Sequence, residues 1–157
     1  MKKFLLAILI ILFMATGLMA ASTQTVTYTR NGECVRTIKI NWTAHTDGSY
    51  TSYAFTGADM AHIQGYMLHA LITDPGSTAP QDNYDIYLKY NGADLLNGSG
   101  ENRHTTTTQI NFPLKFATYQ KADIAIPGDL TFELSGNNVN AAIGLAEFVF
   151  VKHSCSR

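Results

Sequence analysis

Five histidines, His45, His62, His69, His104 and His153, are the residues best suited to metal ligation or proton transfer near neutral pH, and they are scattered along the chain. None forms an H-E-x-x-H pair or lies close in sequence to a cysteine, so no transition-metal site is expected. Asp74, Asp82, Asp85 and Asp94 cluster around turns, where carboxylates can hold calcium. Their spacing does not fit an EF-hand, and turn aspartates are accounted for by bonding to nearby backbone amides. Ser99 lies in Gly98-Ser99-Gly100, which lacks the G-x-S-x-G elbow of a hydrolase nucleophile, and reads as a turn residue. Asp59, Glu101 and Glu147 could serve as glycosidase carboxylates, but that chemistry needs a pair at a defined separation, which spacing alone does not supply. The expectation is a chain without catalytic residues, metal or cofactor.

Tyrosine is the more informative residue type. Seven tyrosines, Tyr50, Tyr53, Tyr66, Tyr84, Tyr87, Tyr90 and Tyr119, exceed what a sandwich core readily absorbs, and tyrosine anchors protein interfaces and stacks on sugar faces. Tyr87, Tyr50 and Tyr119 are the interface or ligand candidates, Tyr87 first because its side chain should oppose the face made by Tyr84, Ile86 and Leu88. The alternative is that most tyrosines sit at the core margin with their hydroxyls in water. The expected partners are a second copy or a neighbouring structural protein, with carbohydrate as the other possibility.

The elements that would position these residues are strands, because the dominant apolar period is two. Cys34, Arg36, Ile38, Ile40 and Trp42 alternate with Val35, Thr37, Lys39 and Asn41. Ser49 to Phe55 repeats the alternation, as do Tyr84 to Tyr90 and Leu130 to Ser135. Asn91-Gly92 is a strong two-residue hairpin signal. Ile143 to Val151 is nearly continuous apolar sequence, expected of a central strand covered on both faces, with Glu147 marking a bulge or an edge. Between residues 58 and 71 two readings compete. Met60, Ile63, Met67, Leu68 and Leu71 fit helical spacing, but a strand from about Gly65 to Thr73 agrees better with the short strands elsewhere. The predicted fold is all-β, an antiparallel β-sandwich of jelly-roll-like or Ig-like type with seven to nine strands.

Lys2 and Lys3 precede an uncharged apolar run from Phe4 to Met19, followed by Ala20, Ala21 and Ser22. This is the layout of a secretory signal over residues 1–20, leaving residues 21–157 as one β-sandwich domain. An uncleaved anchor is the alternative, and the one membrane contact expected. Loss of the two lysines moves the formal net charge from −1 to −3, unlike the basic footprint of a nucleic-acid binder. An exported chain would be secreted, extracellular or periplasmic, and there Cys34 and Cys155 are expected to form one disulfide. Closing so long a loop is worth roughly 5 kcal/mol as an upper figure. Asn41-Trp42-Thr43 and Asn97-Gly98-Ser99 match the glycosylation sequon, which matters only in a eukaryotic secretory route.

The order of these signatures resembles a group of small phage-encoded structural, virion-associated β-proteins. The residues that carry the resemblance are Lys39 to Trp42, Gly65-Tyr66, the Asp74 to Ile86 run DPGSTAPQDNYDI, Gly92 to Leu96, Gly100 to Arg103, and Leu130 to Val151. It covers nearly all of the exported part, and it implies a shared fold and a non-catalytic assembly role, with no catalytic residue to carry over. The export signal and the cysteine pair depart from that group and imply an exported relative built on the same scaffold.

Overall fold

Alternating β-branched and aromatic residues place one face of each strand against a core, and two sheets of this chain meet in that way. The computed structural model describes residues 21–113 and 124–155. The signal expected over residues 1–20 lies outside the described residues. The larger sheet contains β1 (Thr23–Asn31), β2 (Val35–Thr43), β4 (Tyr66–Pro75), β7 (Gln109–Asn111), β8 (Ile124–Ala125) and β10 (Ile143–Lys152). Its order is β1-β2-β10-β4-β7, with β8 also pairing β4. The smaller sheet runs β3 (Tyr53–Ala54), β9 (Thr131–Ser135), β5 (Asp85–Tyr90), β6 (Ala93–Asp94). All the pairings are antiparallel. The architecture is therefore the expected all-β sandwich, with ten strands instead of seven to nine because three of them are only two residues long.

The core lies between the sheets. Ile38, Ile40, Phe148 and Phe150 from the larger sheet meet Ile86, Leu88 and Phe132 from the smaller one, each with no exposed surface. Burial of a side chain of this size contributes about 1.5–3 kcal/mol. Phe132 and Phe148 stack edge to face with centroids 6.1 Å apart, and Trp42 reaches Tyr84 across the core at 5.9 Å. Asn91 and Gly92 both have positive φ, 47° and 81°, and connect Tyr90 to its partner Ala93 as a primed two-residue turn.

Both readings of residues 58–71 contain part of the structure. A short helix, α1 (Gly57–Ile63), precedes strand β4, and Gly65 follows the helix instead of interrupting it. Thr56 caps α1: its side chain accepts from the Asp59 amide, and the Asp59 carboxylate accepts from the Thr56 amide. In β4 the inward set shifts from Tyr66, Leu68 and Ala70 to Leu71 and Thr73, because the ladder with β10 slips between Val149 and Phe150. The extra residue at that slip is His69 of β4, between the pairs Ala70–Val149 and Leu68–Phe150, and not Glu147, which lies directly opposite Lys39 of β2 as a cross-strand pair of opposite charge.

Two strand expectations need correction. Ser49 to Phe55 is extended only at Tyr53–Ala54, since the Ser49 and Thr51 amides bond the Asp47 carboxylate and the Ser22 hydroxyl instead of a neighbouring strand. β10 is central, between β2 and β4, but it is not sealed on both sides. Gly144, Ala146, Phe148 and Phe150 are buried, while Leu145, Glu147, Val149 and Val151 are half-buried. Cys34 and Cys155 form the expected disulfide, Cα to Cα 5.7 Å, tying the end of β10 to the β1–β2 hairpin.

Candidate assembly edge

β1 is a nine-residue strand made almost entirely of polar sequence. Thr23, Thr25, Thr27 and Thr29 line one face, and Gln24, Val26, Tyr28 and Arg30 line the other. Threonine, valine and tyrosine favour extended backbone, and a three-residue loop, Gly32-Glu33-Cys34, returns the chain so that Thr23 faces Thr43 and Asn31 faces Val35. Eight of the nine residues are exposed and Val26 is half-buried, so β1 gains little from apolar burial.

Sheet edges are usually blunted, because unpaired backbone amides and carbonyls invite another strand. Short strands do this here at β7, β3 and β6, with three, two and two residues. β1 has none of those devices: it is long, contains no proline or lysine, and carries a single charge, Arg30. Among the described residues β1 pairs with β2 alone.

A carboxylate anchors this strand to the body. Asp59 in α1 has no exposed surface. Its Oδ1 accepts the Tyr28 hydroxyl at 2.7 Å, and its Oδ2 accepts the Tyr53 hydroxyl and the Thr56 hydroxyl, each also at 2.7 Å. Burial pushes the Asp59 pKa up, but the bonds donated by Thr56, Tyr28 and Tyr53 outweigh it and hold the group below the ordinary carboxylate value. The same arrangement raises the two phenols. For Tyr28 the hydrogen bond to Asp59 is the main cause, and for Tyr53 burial comes first and takes it to about 12. The Tyr28 ring also packs on His62 with centroids 5.0 Å apart.

At the hairpin end of β1 a recess of about 350 Å³ is lined by Arg30, Glu33, Arg36, Tyr66 and Lys152. Arg36 stacks over the Tyr66 ring at 4.8 Å and donates to the His62 carbonyl, and the Tyr66 hydroxyl donates to the Glu33 carbonyl. Three cations against one carboxylate make this end of the sheet positive.

The chemistry-bearing residues singled out by type do not converge. Among the described residues no three of His, Cys, Asp and Glu lie where they could share a metal ion. Asp94 accepts the Leu96 and Gly98 amides, the turn role anticipated for it, whereas Asp85 stands in β5 and accepts the Asn102 amide 17 residues along the chain. Ser99 is buried and donates to the Phe112 carbonyl. Of the tyrosine candidates, Tyr87 is half-buried on the outer side of β5, its hydroxyl on Asp85 and its ring under the Lys89 ammonium at 5.1 Å. Tyr50 packs edge-on against Phe132 and Trp42, and burial drives its pKa upward. Tyr119 lies outside the described residues.

Apolar periodicity misses β1, whose apolar residues are only Val26 and Tyr28. The signal that could have found it is the unbroken alternation of threonine from Thr23 to Thr29. Asp59 was visible as a carboxylate but not as a partner of two tyrosines 31 and 6 residues away. Arg103 was equally hidden: it is buried, and its guanidinium holds the Glu101 carbonyl and the Asn111 side chain. No family model, no characterised protein and no solved structure matches the chain.

Proposed function

We propose that this is a non-catalytic structural protein, exported from the cell and related by resemblance to phage-encoded structural β-proteins, that assembles by adding the open edge of β1 to a neighbouring chain. The observation that carries the reading is the contrast between β1 and the other margins of the two sheets. Three are cut to two or three residues, while one is nine residues long and, among the described residues, is paired by a strand on one side alone, a strand pinned through Tyr28. Strand addition uses main-chain hydrogen bonds for affinity and needs no pocket or reactive group. The Cys34–Cys155 disulfide agrees with an oxidising compartment. The low share of charged residues, 15%, against about 25% in ordinary soluble domains, suits a surface that packs on other protein.

Size-exclusion chromatography with light scattering on the purified protein tests the reading. A mass at a multiple of the protomer, growing with concentration, is expected. A strictly monomeric chain at millimolar concentration contradicts it.

A further inference from the structure

We infer that the neighbour at this edge is a second copy of the same chain, joined β1 to β1 in antiparallel register about a twofold axis through Thr27. The inference rests on the assembly reading above and specifies its partner. A twofold interface requires a surface complementary to itself, so that whatever one residue meets its partner also meets in return. With the axis at Thr27, all nine residues of β1 find a partner in the copy: Thr23 faces Asn31, Gln24 faces Arg30, Thr25 faces Thr29, Val26 faces Tyr28 and Thr27 faces itself. Shifting the axis by one residue in either direction leaves the ends of the strand unpaired and moves Val26 away from Tyr28.

This register sets each side-chain type against a suitable one. The sole charge, Arg30, meets the neutral Gln24, so no like charges oppose each other. Threonine meets threonine on one face, and a β-branched residue meets an aromatic twice on the other, both favourable cross-strand pairs. Tyr28 is among the few large hydrophobic side chains left exposed, at 44%, and Val26 beside it is only half-covered. The copy's Val26 would cover the Tyr28 ring, whose hydroxyl is already committed to Asp59. The two six-stranded sheets would then run on as one across the axis.

A charge-swap experiment tests the register. Thr25 and Thr29 are exposed and lie opposite Asn41 and Thr37 of β2, so both accept substitution without entering the core. In the dimer they face each other twice. Sedimentation equilibrium is expected to show that T25K/T29K weakens self-association about tenfold or more, because lysine then opposes lysine at both places. T25K/T29E should restore it, since each lysine then meets a glutamate of the copy. Circular dichroism melts of both variants establish that the protomers stay folded. If T25K/T29K associates as tightly as the parent, or T25K/T29E stays as weak as T25K/T29K, the twofold register is overturned while the assembly reading stands. A parent protein that sediments only as a monomer overturns both.

Discussion

Tyr28 on β1 donates its hydroxyl to Oδ1 of the buried Asp59 at 2.7 Å, and this bond ties a strand that is exposed at eight of nine positions to the body of the sandwich. Backbone pairing with β2 holds β1 in the sheet, and this contact and the Tyr28–His62 packing tie it to α1. Tyr28→Phe keeps the ring and removes the bond. Hydrogen bonds to charged groups are worth roughly 1.5–3 kcal/mol, and solvent access at Tyr28 lowers that to about 1 kcal/mol. Hydrogen exchange should show faster exchange of β1 amides with the β4 and β10 amides unchanged. Uniformly faster exchange across the sheet would contradict the local role.

Acid should loosen the same contact. Asp59 is held below its ordinary value of 3.8 in the folded chain, so the stability it adds is fully present above that value. It is lost as the pH falls through the lower folded value, where the carboxylate takes up a proton and stops accepting from three hydroxyls at full strength. Asp59→Asn removes this titration and is expected to be less stable than the parent near neutrality, with a flatter stability profile on the acid side. Urea melts across the acid range check this, and parallel profiles for the two proteins would contradict it.

The Cys34–Cys155 bridge spans a sequence separation of 121. Replacing both cysteines by alanine should cost about 2–5 kcal/mol, with most of the effect in the denatured chain, which regains the freedom the crosslink removed. A thermal midpoint unchanged by the double replacement would show that the crosslink contributes little to this fold.

Gly144 sits where β10 passes under Trp42. A methyl group there would lie 2.3 Å from Cζ2 of the indole, which is itself 1% exposed and wedged between Tyr50 and Tyr84. Gly144→Ala is expected to destabilise the chain by about 1–3 kcal/mol or more through overpacking, read as a lower urea midpoint with an unchanged slope. A neutral effect would mean that the indole can move aside.

Sequence periodicity carried the interior of this fold and lost its margin. The inward sets of β2, β5 and β9 were legible because Ile38, Ile40 and Trp42, then Tyr84, Ile86 and Leu88, then Phe132 and Leu134, repeat at period two and are buried. The Asn91-Gly92 turn was legible because few other residues tolerate two successive positive φ angles. β1 was not, since a strand held by backbone pairing does not need the apolar alternation that such reading follows. The change of buried face within β4, after Ala70, is not legible, because one slipped residue in a ladder leaves no local mark in the sequence. The Asp59 cluster joins three separate elements, and its hydrogen bonds exist only once β1, β3 and α1 are brought together.

Hydrogen exchange of the β1 amides at low and high protein concentration measures most directly whether this edge is where the chain assembles. Those β1 amides that do not bond β2 should become protected as concentration rises, in step with the growth in mass, while the amides of β7 and β6 stay unchanged. Mass that grows while every β1 amide exchanges at its dilute rate would place the contact elsewhere and contradict the account.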